Sequence, residues 1–383
     1  MPKLLSDNGK FRLAIHSNLN YPGGDPFVLS GLTKGLSSRG FDITLMGLLE
    51  KRMIPFTHSL HWIRRLIPLR GERSVKQMVR GFAETPPDAI MISGGVSLGI
   101  LSALLLGKPI FWRVISHPKW WLGLRGAPYR KVKQVVATIG LFSQKVITVS
   151  NFIRSSIVQE GFRHVETIYE GCDTKYFSPN AKERLEFRRE FGLTSHDVAV
   201  GVLANMDWQK RHDIVIRALA LLRKQNIHLK CFFVGGAFRK AMRLQEAFLK
   251  RLIQKLRLES QIIFTGFRYD RRRVMNGLDL LAFPFLDEAF GLSVLEGMSL
   301  GKTVLVNSSG ALPEIVTHNQ DGIVVEPENP AALAKALHDI LGNPSKARVL
   351  GENARKKVIQ KFSLDRQVLA YERLLKKNVP RNV

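Results

Sequence analysis

Apolar residues along this chain fall into short contiguous blocks, separated by stretches in which they recur every third or fourth position. The blocks suit buried strands and the spaced stretches suit amphipathic helices. In the first half the strand candidates are Phe11–His16, Asp42–Met46, Ala89–Ile92, Pro109–Ile115, Lys145–Val149 and Val165–Tyr169, with a helical pattern over Phe27–Arg39. A polar connector runs from Asp173 to about Ser195. The alternation then restarts with Val198–Ala204, His228–Val234, Gln261–Thr265, Leu278–Phe283, Thr303–Val306 and Gly322–Val325, and with helices over His212–Gln225 and Pro330–Leu341. This pattern predicts an α/β chain with two Rossmann-like, doubly wound domains. Such sheets bind ligands at the carboxyl ends of their strands, and two facing domains leave a cleft between those ends. The divisions expected are 1–190, 191–351 and a C-terminal segment 352–383, in which Glu352–Lys377 reads as one long basic helix.

Ala89 to Gly107 carries no charge and is long enough to cross a bilayer. Its Ser93-Gly94-Gly95 and Gly99 break it instead into a strand, a turn and a buried helix. At 383 residues, with 45% hydrophobic and 23% charged residues, the chain has material for two separate cores. Cys172 and Cys231 are too few and too far apart for a disulfide scaffold, which points to a reducing, cytoplasmic setting. The N-terminus shows no apolar leader ahead of its charges.

A net charge of +26 requires an explanation, and residues 51 to 150 hold half of it. Arginines and lysines there interleave with tryptophans in His61–Arg70 and His117–Lys133. That mixture suits an anionic membrane surface, where rings sit at the headgroups and cations meet lipid phosphates. Nucleic acid competes as a partner for any basic protein, and simple solvation of basic faces is a third reading.

The densest candidate chemistry lies at Asp287–Gly297, where Glu288 and Glu296 flank Phe290-Gly291-Leu292 between an apolar strand and a helix-compatible stretch. A helix starting near Phe290 or Gly291 aims unpaired amides at the loop, where they can hold a phosphate. Glu288 beside that phosphate would be repelled by it and so reaches past it to a neutral hydroxyl-bearing group, such as a sugar. Glu296, farther along the helix, is placed to accept hydrogen bonds from vicinal hydroxyls such as those of a ribose. Lys210 and Arg211 follow the strand ending at Ala204, forming a natural diphosphate clamp. Gly23 and Gly24 let the backbone approach a ligand after the first strand, and His117 follows the strand Pro109–Ile115. Each also has a plain structural reading: a dipole-favoured acid, a solvated cation pair, a tight turn and a structural histidine.

The two glutamates and the Phe-Gly-Leu between them resemble the Glu-x7-Glu signature of retaining glycosyltransferases of family 4, which have the GT-B fold. The resemblance extends to Gly171-Cys-Asp-Thr-Lys-Tyr-Phe177, Val234-Gly235-Gly236, Gly266-Phe267-Arg268 and Asn307–Glu314. It implies that Lys210 holds the donor diphosphate, Glu288 the transferred sugar and Glu296 the ribose, with amides near Phe290, Gly291 and Leu292 supporting both sugar and phosphate. It also implies that Gly235 and Phe267 flank the base, that Gly23 and Gly24 lie over the phosphates, that His117 contacts the transferred sugar or the acceptor, and that the last helix returns to the first domain. Asn205 stands where the family has an arginine and Arg211 where it has a glycine, so the second phosphate contact rests on Arg211 or on an amide of Asn205. Glu170 replaces the family's asparagine.

No Asp-x-Asp or His/Cys cluster appears at ligand spacing, so metal-independent chemistry without a cofactor is expected. A UDP- or GDP-sugar serves as co-substrate. The expected activity is sugar transfer from a nucleotide-sugar to a glycan or lipid-linked hydroxyl acceptor with retention of configuration. It would take place in the cytoplasm or peripherally at an anionic membrane face. A nucleotide-sugar epimerase or phosphorylase on the same fold, and a non-catalytic nucleic-acid or membrane-binding relative, are the competing readings.

Overall fold

A computed structural model describes residues 10–19, 24–49, 60–61, 63, 65–69, 80, 86–94, 104, 106–116 and 140–379. The chain forms two compact units, Met1–Gly171 with Leu364–Val383, and Cys172–Ser363.

The first unit is built on a parallel sheet of β1 (Phe11–Leu19), β2 (Phe41–Leu49), β3 (Arg65–Leu69), β4 (Ala89–Ser93), β5 (Ile110–Val114), β6 (Lys145–Thr148) and β7 (Val165–Thr167). Its order is β3-β2-β1-β4-β5-β6-β7. Four of the six expected strands lie within two residues of their expected ends, and the first two run three residues past theirs, to Leu19 and Leu49. β3 was not expected. It lies in the block His61–Arg70, which sequence reads as membrane-facing, yet Arg65–Leu69 pairs with β2 as the sheet's edge. Its Pro68 lacks an N–H and is tolerated at an edge. Of the apolar stretch Ala89–Gly107, β4 takes the first part and Gly94 turns at φ +106°, while 95–103 lie outside the described residues. Among the described residues no helix is long and apolar enough to cross a membrane.

Helix α1 (Gly24–Ser37) follows β1, and α2 (Asn151–Gln159) follows β6 with Ser150 Oγ accepting the Ile153 N–H at 3.2 Å. Such a cap satisfies one of the helix's orphan donors.

The second unit begins with α3 (Ala181–Glu190), then alternates β8 (Ala199–Leu203), α4 (His212–Lys224), β9 (Lys230–Val234), α5 (Lys240–Lys255), β10 (Ile262–Gly266), α6 (Arg271–Gly277) and β11 (Leu280–Phe283). It continues with α7 (Leu292–Ser299), β12 (Thr303–Asn307), α8 (Leu312–Ile315), β13 (Ile323–Val325), α9 (Pro330–Leu341) and α10 (Pro344–Lys361). The parallel sheet runs β10-β9-β8-β11-β12-β13. β8 and β11 are buried neighbours at its centre, where the strand order reverses. That reversal is where such sheets open a crevice for ligands.

The unit divisions fall at Gly171/Cys172 and Ser363/Leu364 rather than at 190/191 and 351/352. α3 lies in the second unit because its acids grip α6 and the loop before it: Glu190 binds Arg273 at 2.5 Å and Arg268 of the loop at 2.7 Å, and Glu183 pairs with Arg272. The expected single helix over Glu352–Lys377 is two, α10 and α11 (Leu364–Asn378). The chain breaks at Phe362, whose ring is buried and whose carbonyl accepts the Cys172 N–H at 2.8 Å. α11 then joins the first unit, lying so close to α1 that a Cβ on Gly35 would fall 2.4 Å from Val368 Cγ2. Arg39 and Glu372 close that contact at 2.9 Å.

Beneath it, Arg113 of β5 donates to Glu170 at 2.5 Å, and Gln367 of α11 donates to the other Glu170 oxygen at 2.5 Å. Arg113 and Glu170 are both buried, so Glu170 fixes α11 to the sheet from within.

Candidate active site

Of the expected donor-side residues, Asn205, Lys210, Arg211, Gly235, Phe267, Phe290, Gly291, Leu292 and Glu296 lie on the segments that follow β8, β9, β10 and β11 in the second unit. Backbone hydrogen bonds tie these loops into one row. Gly235 N–H donates to the Gly266 carbonyl at 3.0 Å, Met206 N–H to the Gly236 carbonyl at 3.1 Å, and Leu286 N–H to the Gln209 carbonyl at 2.9 Å. Gly235 permits the approach: a Cβ there would lie 1.9 Å from the Ala204 carbonyl oxygen. Asn205 Oδ1 accepts the Gly236 N–H at 3.5 Å, so its amide braces the β8–β9 loops.

Beyond β8 the chain makes a 3-10 turn at Trp208–Lys210, capped by Asp207, and passes through Arg211 in the left-handed region at φ +46° before entering α4. This turn sends the Lys210 ammonium to the Glu288 carboxylate, with the Phe285 ring face 4.3 Å from Nζ. Sequence reasoning named both charged residues but missed the ring. The lysine and the acid are both partly exposed, so the pair is open to a ligand that competes for it.

Glu288 is held from behind. Gly310 at φ +66° passes so close that a Cβ would fall 2.5 Å from both the N and the O of Glu288, and Ala311 N–H donates to the Glu288 carbonyl at 2.9 Å. Ser309 Oγ accepts the Asp287 N–H at 2.9 Å. Gly291, left-handed at φ +109°, turns the chain into α7 at Leu292, and Phe290 is buried beside it. No side chain caps this helix start.

Arg211 is engaged by two carboxylates. Its guanidinium donates to Asp213 from Nε at 3.0 Å and from a terminal nitrogen at 3.1 Å, and it also pairs with Glu328. The bond to Asp213 raises its pKa further above the ordinary arginine value. Asp213 stood two residues away in the sequence, whereas Glu328 carried no local signal.

Next to it His212 is fully buried, edge-on to Phe233 with ring centres 4.8 Å apart, and burial with help from the Lys210 charge lowers its pKa to about 3. It is a neutral core histidine.

Glu296 is buried and ion-paired with Arg271 at 3.0 Å, and that arginine lies over the Phe177 ring at 5.3 Å. Burial raises the Glu296 pKa, opposed by Arg271. Arg271 opens α6, directly after the loop that carries Phe267. On that loop Phe267 stacks edgewise with Phe238 at 5.5 Å and with the exposed Tyr269 at 4.9 Å. Gly24 opens α1 in the first unit, while Gly23 and His117 lie outside the described residues.

The sequence model of the glycosyl transferases group 1 family matches residues 183–357, most of the second unit. An uncharacterized glycosyltransferase of Methanocaldococcus jannaschii is 29% identical over 58% of this chain and 57% of its own length. A lipopolysaccharide core biosynthesis mannosyltransferase of Rhizobium leguminosarum bv. viciae is 28% identical over 45% of this chain and 48% of its own. The chain thus spans about half the length of the curated relatives it matches. The Anabaena protein HepE, solved in complex with UDP and glucose, superposes with a TM-score of 0.83 at 20% identity over 96% of this chain and 100% of that one. The chain has the two parallel-sheet architecture of GT-B glycosyltransferases, and its residues 183–357 match the sequence model of the glycosyl transferases group 1.

Proposed function

We propose that the chain is a retaining glycosyltransferase that moves a sugar from a UDP- or GDP-sugar to a hydroxyl of a glycan or lipid-linked acceptor. The observation that carries this reading is the Lys210–Glu288 contact at the carboxyl ends of β8 and β11. In the reaction the bond from the anomeric carbon to the diphosphate breaks and a bond to the acceptor oxygen forms on the same face of the sugar. The diphosphate oxygen keeps the electron pair of the broken bond, and the acceptor's hydroxyl proton passes to the departing nucleoside diphosphate.

Lys210 stabilises the charge that develops on the departing diphosphate, an effect worth about 3–4 kcal/mol when a single well-placed donor is removed. When the diphosphate takes a share of the ammonium, Glu288 is released from its ion pair to accept hydrogen bonds from sugar hydroxyls. The α7 amides at Gly291 and Leu292 complement the same negative charge. Phe267 with its aromatic neighbours borders the base, and Glu296, held by Arg271, faces the ribose. Arg211, engaged by Asp213 and Glu328, braces the loop that presents Lys210. The family resemblance assigns His117 to the acceptor side and Gly23 with Gly24 to the phosphates. The lipopolysaccharide relative and the basic composition of residues 51–150 support a surface-polysaccharide or lipid-linked acceptor at an anionic membrane face.

The test is thermal stabilisation by a panel of UDP-, GDP- and ADP-sugars, followed by transfer assays with the donor that stabilises. Product formed without any acceptor would replace this reading with an epimerase or phosphorylase. The absence of nucleoside diphosphate binding, with transfer unchanged in Glu288→Ala, would remove it.

A further inference from the structure

We propose that the outward face of α5 is a docking surface for an anionic lipid membrane, separate from the donor site. Helix α5 turns Met242, Leu249, Leu252 and Ile253 into the core of the second unit. Its opposite side is not the charged, apolar-free face usual for a surface helix. Leu244 is 64% exposed and Phe248 47% exposed, one turn apart with the exposed Ala247 between them. Residues at this spacing share one stripe of a helix. Arg251 and Lys255 continue the stripe in one direction and Lys240 in the other, and Arg243 flanks Leu244.

Over residues 239–259 there are seven Lys/Arg and two Glu, and Glu246 is already paired with Lys250 at 2.6 Å. The face is therefore a short apolar ridge set among cations. A phosphodiester chain would answer the cations but leave Leu244 and Phe248 in water. A second copy of this chain would set the same cations against each other. An anionic bilayer answers both features: phosphates meet Arg243, Arg251 and Lys255 while the leucine and phenylalanine enter the headgroup boundary. The inference concerns attachment and does not depend on which reaction the donor site carries out.

Flotation of the full chain with vesicles of phosphatidylcholine, alone or with phosphatidylglycerol added, tests it. Basic residues of the first unit also contribute to lipid binding under the reading above, so the readout is the difference between variant and wild type. Leu244→Ser/Phe248→Ser and, separately, Arg243→Glu/Arg251→Glu are each expected to reduce partitioning onto the anionic vesicles at least about fivefold. UDP-dependent thermal stabilisation should stay unchanged, which also shows that the variants are folded. Wild-type binding should weaken as salt rises. Equal binding of both variants and wild type to anionic vesicles would overturn the proposal, as would equal binding of wild type to both kinds of vesicle. A wild-type dimer split by the variants would assign the face to self-association instead. Loss of RNA binding with vesicle binding intact would assign it to nucleic acid.

Discussion

The ammonium of Lys210 touches the carboxylate of Glu288, though the two stand on loops that follow different strands of one sheet. Each holds the other in the orientation a donor would meet. The pair is partly exposed, so its own contribution to stability is small, on the order of 1 kcal/mol or less. Its removal is expected to register in function instead. Lys210→Met should weaken UDP binding about tenfold or more, since a charge-assisted bond to phosphate is lost, and should slow transfer about a hundredfold or more. Glu288→Gln should leave UDP affinity within about threefold while slowing transfer, because a hydroxyl contact is made only when the sugar is present. Calorimetric titration with UDP beside initial-rate measurements separates the two, and an equal loss of UDP affinity in both variants would show that the acid does not discriminate sugar from phosphate.

Gly310 is expected to govern where Glu288 sits. At φ +66°, with Glu288 backbone atoms 2.5 Å from a notional Cβ, alanine is both strained and obstructed. Gly310→Ala should cost about 2 kcal/mol or more of stability, read by thermal unfolding. A displaced carboxylate should also reduce turnover about tenfold or more, with UDP affinity largely kept. If turnover follows only the fraction of protein folded, the contact is structural and no more.

The strand ends and the acid pair were legible in the sequence for the same reason: a strand that runs into glycine-rich, charged loops marks the carboxyl edge of a parallel sheet. What the sequence left out came from partners distant along the chain. Arg211 reads as a phosphate ligand in the sequence, where nothing local announces its pairing with Glu328. Glu296 is visible as an acid on a helix, but nothing local announces Arg271. The break between α10 and α11 carries no glycine or proline. It arises because the Phe362 ring is buried and its carbonyl is used by Cys172, and both are tertiary facts. β3 was hidden because a five-residue strand with an arginine and a proline resembles a basic surface segment more than a sheet edge.

Glu170, which stands where the family resemblance has an asparagine, ties the first unit to its returning helix. Glu170→Ala would leave Arg113 buried without its carboxylate partner, and Gln367 would lose an acceptor. A loss of about 3–5 kcal/mol is expected. Arg113→Met/Glu170→Leu removes both charges together and should cost less than the single change. Urea unfolding monitored with and without UDP assigns the effect to a unit: the destabilised transition should be the one that the nucleotide does not shift. A larger loss in the double variant would mean that the pair contributes net stability beyond avoiding a stranded charge.

Stability should also respond to pH through Lys302, at the opposite end of the second sheet from the donor loops. Half-buried, it donates to the Asn276 carbonyl at 2.8 Å and to the Leu278 carbonyl at 2.6 Å. Burial, with the charges of Arg184 and Arg188 added and Asp279 opposing, lowers its pKa from 10.5 to about 7. Below about pH 7 both the folded and the unfolded chain carry the proton, so the cost of the ammonium is present in full and constant. Between about 7 and 10.5 the unfolded chain still binds the proton while the folded chain has released it. Stability therefore rises with pH across that window, by up to ~1.4 kcal/mol per unit. Lys302→Met removes the proton from both states, so the difference in unfolding free energy between wild type and variant should move in favour of wild type from pH 7 to pH 10. A difference that stays flat would show that the bonds to the Asn276 and Leu278 carbonyls offset the cost of burial and leave the ammonium's pKa unshifted.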